Sequence, residues 1–187
     1  MRLYYTDTRG ADISCALCAA GSARKGSAWG RSLLCRAWER EFGGEMPDVV
    51  CDEQGRPMFA AEEAPFFSLS HTEGLAVCAI GETPVGVDAE RPRELASGTA
   101  QKLMTPEEAQ QFDFFRLWTL RESAFKLTGR GGVRSPHFFL RDGAVRCEDE
   151  RLHFALAELC GCPVSLCAPE PILLQCIEIP VSELLRK

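Results

Sequence analysis

From Arg24 to Phe42 the apolar positions Trp29, Leu33, Leu34, Ala37 and Trp38 recur at helical spacing until Gly43-Gly44 ends the pattern. This stretch predicts an amphipathic helix. Phe66-Phe-Ser-Leu-Ser70 and Leu75-Ala-Val-Cys-Ala-Ile80 are short, nearly continuous apolar runs bounded by turn residues, the pattern of buried strands. Val85 to Glu90 alternates with period two, sending Asp88 and Glu90 to one face and Val87 and Ala89 to the other. Met1 to Tyr5 reads as a short edge strand. In the second half, Thr105-Pro106-Glu107-Glu108 combines an N-cap, a first-turn proline and acids at the positive end of a helix. A longer helix is expected from about Phe114 to Leu127, with Gly129 as its C-cap. Beyond Gly131-Gly132 the pattern turns to strands at His137 to Arg141, Ala144 to Cys147, Leu152 to Phe154, Pro163 to Ala168 and Ile172 to Ile179. The mixture predicts an α+β fold.

A weak internal echo accompanies this order. Leu75-Ala-Val-Cys-Ala is followed after a turn by Val85-Gly-Val-Asp, and Val164-Ser-Leu-Cys-Ala by Leu174-Gln-Cys-Ile. Taken alone, two ordinary β-hairpins account for it.

The chain has 187 residues and 20.6 kDa, room for one large domain or two small ones. A net charge of −6 argues against a surface given over to nucleic acid or anionic lipid, so neither is an expected partner. The sequence holds no apolar run long enough to span a bilayer, and its first residues lack a signal-peptide plan, which gives a cytoplasmic expectation. Ten cysteines are unusual, but Cys35, Cys78, Cys167 and Cys176 lie in apolar runs and read as reduced core thiols. Cys15-x-x-Cys18 and Cys160-x-Cys162 lack a following His at zinc-ligand spacing.

Chemistry concentrates at three places. Asp88-x-Glu90 sets two carboxylates on one strand face, which is either a solvated strand end or half of a site for a hard cation such as Mg²⁺. Glu122 and Lys126 lie one turn apart on the long helix, as a surface ion pair or as part of a site. From Arg116 to Arg134 there are five basic residues against one acid, a local reversal that suits an anionic ligand or an acidic partner. Ser70-His71 follows a buried strand; if a helix turn opens there, its N–H groups, hydroxyl and imidazole would together receive a phosphate. A purely structural His is the alternative, and the surrounding residues are no Gly-x-Ser-x-Gly elbow.

Gly55-Arg-Pro-x-Phe59, Phe67-Ser-Leu-Ser-His-Thr72, Gly86-Val-Asp-Ala-Glu90 and Trp118-Thr-Leu-Arg-Glu-Ser-Ala-Phe-Lys126, in this order, resemble the 4′-phosphopantetheinyl transferases of the Sfp type. The resemblance is close from Gly55 to Gly129 and loose on the flanks. It implies a pseudo-dimer of two similar α+β halves, residues 1–85 and 86–187, in a monomer with its site in the cleft between them. By the same resemblance Asp88, Glu90 and Glu122 match the carboxylates that hold Mg²⁺, for which Mn²⁺ can substitute, and Lys126 matches the lysine on the transferring phosphate. Arg56, Ser70 and His71 match contacts to coenzyme A, Ser27 falls where a small hydroxyl meets that ligand, and Glu108 matches an acid near the metal in some members. Ser68, Thr72 and Arg121 stand for the usual Asn, Ser and Lys, and Arg differs from Lys in its geometry at a phosphate. The basic residues expected before the first helix are missing from Ala11 to Ala23, so Arg24, Lys25 and Arg31 are the substitutes.

The implied reaction moves the phosphopantetheine arm of coenzyme A to a serine of an acyl, peptidyl or aryl carrier protein and releases adenosine 3′,5′-bisphosphate. Asp88, Glu122 and Lys126 would be the catalytic residues, with Glu122 receiving the serine proton directly or through a bound water. Two other classes stay open: a non-catalytic module that binds coenzyme A or a carrier protein, and a Mg²⁺-dependent phosphodiesterase or hydrolase.

Overall fold

The computed structural model describes residues 1–11 and 25–185, with side chains in the first helix described from residue 28 onward. The elements run β1 Arg2–Asp7, α1 Lys25–Glu41, β2 Val49–Cys51, β3 Pro57–Phe59, β4 Phe66–Thr72, β5 Leu75–Gly81 and β6 Gly86–Ala89. They continue through α2 Thr99–Leu103, α3 Pro106–Gln111, α4 Phe114–Thr128, β7 Phe138–Arg141, β8 Ala144–Cys147, β9 His153–Leu159, β10 Cys162–Ala168, β11 Gln175–Glu178 and α5 Val181–Leu184. The α+β expectation holds.

One sheet has the order β11-β1-β5-β4 and a second has β6-β10-β9; two further hairpins, β2-β3 and β7-β8, stand apart. β1 is therefore not the expected edge strand. It lies between antiparallel β5 and parallel β11, which explains why Leu3 and Tyr4 are buried on opposite faces. The unbroken apolar run of β5 follows from the same layering. Ala76, Cys78 and Ile80 pack under α1 with Leu33 and Leu34, while Leu75, Val77 and Ala79 face the second sheet with Val87, Val164 and Leu166. The α4 helix covers the far side of the second sheet, where Thr119 Oγ1 meets Ser165 Oγ of β10 at 2.6 Å.

The echo is not a pair of hairpins. β5 and β6 belong to different sheets, and so do β10 and β11: each time, the turn carries the chain from one layer into the other. The series strand, helix, hairpin, strand, strand occurs twice, as β1-α1-β2-β3-β4-β5 and as β6-α4-β7-β8-β9-β10 with α2 and α3 inserted. Both copies give one sheet order, β1-β5-β4 and β6-β10-β9. A division at residue 85/86 leaves β11 and α5 on the first layer, against β1 and α1.

Among the cysteines, Cys78 and Cys167 are buried as expected, whereas Cys35 and Cys176 are exposed. Cys15 and Cys18 lie outside the described residues.

Candidate active site

β4 presents Ser68, Ser70 and Thr72 at alternate positions toward the free edge of β6. Their hydroxyls accept hydrogen bonds from the amides of Val87, Ala89 and Arg91 at 3.1, 3.2 and 3.0 Å. A row of side-chain oxygens thus takes the place of a neighbouring strand, so the buried edge amides of β6 are satisfied across the seam between the layers. Ser70-His71 is strand throughout, not the opening of a helix turn. The Ser70 hydroxyl also donates to Asp88 Oδ1 at 2.8 Å.

Helix α4 crosses this seam. Gly86 makes the approach possible: a Cβ there would lie 2.0 Å from the Ser123 carbonyl oxygen and 2.8 Å from the Leu127 nitrogen. With the helix this close, Lys126 Nζ donates to Leu69 O on β4 at 3.3 Å, Val87 O on β6 at 3.0 Å and Asp88 Oδ1 at 2.7 Å. All three ammonium protons are used, and one side chain pins both layers. Its ion pair is with Asp88 rather than with Glu122, the partner suggested by helical spacing.

Asp88, Glu90, Glu122, His71 and Trp118 line one cavity of about 270 Å³ together with Lys126. Burial pushes the Asp88 carboxyl above its usual range against the pull of Lys126 and Ser70. Glu122 is raised first by loss of water and then by the negative charge of Asp88, and its carboxylate has no hydrogen-bond partner among the described residues. His71 is held below its ordinary value by desolvation and by Lys126, which outweigh Asp88 and Glu90. Glu90 pairs with Arg93, whose guanidinium also lies 5.8 Å from the Phe115 ring centre.

Three carboxylates round one half-buried lysine form an oxygen-rich, net negative site, the donor chemistry that a hard divalent cation takes. Asp88 has one oxygen held by Ser70 and Lys126, which leaves Oδ2 open. Among the described residues, however, no three acidic, His or Cys side chains stand together closely enough to enclose an ion. Lys126 pairs with Asp88 and Arg93 with Glu90.

On the other side of Lys126 and Leu69 lies a second cavity of about 290 Å³, lined among others by Gln54, Arg56, Phe67 and Phe125. Arg56 is braced by Asp52 Oδ2 at 3.1 Å and donates to the Leu127 carbonyl at 3.0 Å, tying the β2–β3 turn to the end of α4. Phe125 is half exposed here.

Two residues lie elsewhere than the resemblance implies. Glu108 and Arg121 form a buried ion pair at 2.8 and 2.9 Å, and neither lines the carboxylate cavity. Glu108 closes the capping box of α3 with Thr105 and accepts from the Phe138 amide at 3.1 Å. The basic stretch on α4 is likewise largely engaged within the fold, Arg116 with Asp113 and Glu158, Arg121 with Glu108 and Lys126 with Asp88. The side chains of Lys25 and Ser27, and all of Arg24, lie outside the described residues; Arg31 is exposed. Trp118 and Arg93 went unread in the sequence as site residues. Trp118 precedes Glu122 by one helical turn and Arg93 follows Glu90 by three residues, so spacing was the available signal.

The sequence profile of the 4′-phosphopantetheinyl transferase superfamily matches residues 84–157, a stretch that contains Asp88, Glu90, Glu122 and Lys126. This stretch is similar to members of that superfamily. The matched stretch stops short of Arg56, Ser70 and His71. Among curated relatives, the 4′-phosphopantetheinyl transferase psf-1 of Bacillus pumilus is 32% identical over 114 residues, covering 54% of this chain and 49% of its own. HetI of Nostoc sp. is 33% identical over 120 residues, covering 54% and 51%. AcpT of Escherichia coli K12 is 26% identical over 162 residues, covering 78% and 75%. The alignments with psf-1 and HetI therefore span about half of those proteins. No helix among the described residues is long and apolar enough to cross a membrane.

Proposed function

We propose that this chain transfers the 4′-phosphopantetheine arm of coenzyme A to a serine of an acyl, peptidyl or aryl carrier protein and releases adenosine 3′,5′-bisphosphate. The observation that carries the reading is the position of Lys126, shared by a cavity of three carboxylates and a cavity bearing Arg56. A pyrophosphate that spans the two would meet the ammonium at its middle. The repeated element order and sheet order support two related halves, with β11 and α5 returning to the first.

Asp88, Glu90 and Glu122 would hold Mg²⁺ or Mn²⁺, which supplies charge neutralisation of the pyrophosphate when bound. Asp88 would do so through Oδ2, since Ser70 fixes the other oxygen. Lys126 stabilises the charge that grows on the phosphate oxygens, and it must give up one of its three present bonds to do so; the bond to Leu69 O is the longest. Glu122, without a hydrogen-bond partner among the described residues and raised in pKa, would take the serine proton. Arg56 serves the coenzyme A side, while His71 and Trp118 border the carboxylate cavity. Ser70 could donate a hydrogen bond to coenzyme A only by releasing Asp88.

Coenzyme A turnover measured with and without an apo carrier separates this reading from its rivals. Transfer predicts that adenosine 3′,5′-bisphosphate appears only with carrier and Mg²⁺ both present. Release without carrier indicates a hydrolase, and no release with any carrier indicates a binding module.

A further inference from the structure

The cavity beside Lys126 and Leu69 differs in sign from the carboxylate cavity. The described residues that line it include two cations, Arg56 and Lys126, two phenyl rings, Phe67 and Phe125, and no acid. Cationic donors beside aromatic faces suit a flat ring that carries phosphate, the chemistry of a nucleotide. Lys126 already uses its three protons, so Arg56 is the cation with donors to spare. Its place is set by one residue. Asp52 Oδ1 accepts from the Gln54 and Arg56 amides, each at 2.9 Å, and Oδ2 accepts from Arg56 Nε at 3.1 Å. The backbone closes the same turn, with Gly55 N donating to Asp52 O and Asp52 N to Arg56 O, both at 2.9 Å. The guanidinium is thus held at two points, Nε on Asp52 and Nη1 on the Leu127 carbonyl, and Nη2 keeps no partner among the described residues. The Arg56 amide above all, then the Gln54 amide and the Arg56 charge, hold the Asp52 carboxyl below its usual range despite lost water.

We propose that Asp52 is a positioning residue: its carboxylate fixes Arg56 so that the open edge of the guanidinium is presented to the phosphate of a nucleotide in this cavity. The proposal rests on the reading of this cavity as the coenzyme A side. Asp52 itself does not line the cavity and acts only through Arg56. Two effects of Asp52 oppose each other. Its charge offsets part of the attraction of Arg56 for an anion, which salt screens, while the ordering of a long side chain before the ligand arrives is indifferent to salt.

The test is coenzyme A binding to the whole chain, measured by calorimetry without carrier in about 0.5 M salt, where the Debye length is roughly 4 Å. Asp52→Asn keeps an oxygen for the two amides and loses the brace on Nε. It should weaken binding about two- to tenfold, the range for ordering one such side chain, with a melt close to that of the wild type. Arg56→Ala should weaken binding at least as much, and Asp52→Asn should add nothing further in the Arg56→Ala background. A purely structural turn would instead lower the melt and weaken binding by the same factor in both backgrounds. Unchanged or tighter binding in Asp52→Asn, an undiminished effect in the Arg56→Ala background, or an Arg56→Ala chain that binds as the wild type does, each overturns the positioning role. Failure to modify any carrier, with these losses present, overturns the transfer reading and leaves the role of Asp52 standing.

Discussion

Arg121 offers five N–H groups, and all are used: Nε to Pro136 O, Nη1 to Leu103 O and Val133 O, Nη2 to both oxygens of Glu108. A lysine would bring three donors to those acceptors, which is the physical reason for arginine here and the reason this residue is not free for phosphate. Burial alone would raise the Glu108 carboxyl, but hydrogen bonds from the Thr105 and Phe138 amides and the Arg121 charge bring it below its ordinary value. A carboxylate lowered on folding stabilises fully above its unfolded pKa, and that stability drains away as pH falls through the folded value. Glu108→Gln should therefore cost about 3–5 kcal/mol at neutral pH by leaving a buried charge unpaired, and its deficit should shrink in acid. Thermal melts of both proteins across pH check this. Helical spacing and strand alternation made Asp88, Glu90, Glu122 and Lys126 legible, because those periods belong to the local backbone. The true partner of Lys126 was not legible: Asp88 lies 38 residues away, and only the crossing of two elements brings them together.

At the scale of elements, Gly86 and the hydroxyl row decide where β6 lies. Adding one methyl group in Gly86→Ala would force α4, with Glu122 and Lys126, away from β6. We expect a stable but slower protein or an unfolded one, and melting beside the rate of carrier modification tells which; full rate with an unchanged melt would contradict the close approach. Ser68→Ala with Thr72→Val strips two oxygens from the row and strands the amide of Val87 in β6 and that of Arg91 just beyond it, the buried Val87 amide costing about 1–3 kcal/mol. Hydrogen exchange should accelerate at Val87 and Arg91, and Ser68→Thr alone should leave it unchanged. Strand identity at residues 66–72 and 75–81 was readable from apolar runs. The burial of β1 inside a sheet was not, because its second neighbour, β11, comes from the far end of the chain.

On the scale of the molecule, the echo between residues 75–88 and 164–177 gains meaning from topology. In isolation it reads as two hairpins; in the fold each copy sends its second strand into the opposite sheet, and only pairing partners distinguish the cases. The charge pattern changes in the other direction. A basic stretch from Arg116 to Arg134 looked like a docking stripe, yet Arg116, Arg121 and Lys126 have acidic partners within the fold, and the exposed basic residues left in that stretch are Arg130 and Arg134. Electrostatic attraction of the proposed carrier, if acidic, would thus rest on fewer side chains than composition suggests. The central claim is that Asp88, Glu122 and Lys126 perform covalent transfer at one site. Intact mass spectrometry of an apo carrier panel incubated with coenzyme A, Mg²⁺ and either the wild-type chain, Asp88→Ala or Glu122→Ala tests it most directly. The account predicts a phosphopantetheine adduct on a carrier serine with the wild type and none with either variant, both variants remaining folded; an adduct formed at the wild-type rate by either variant would contradict it.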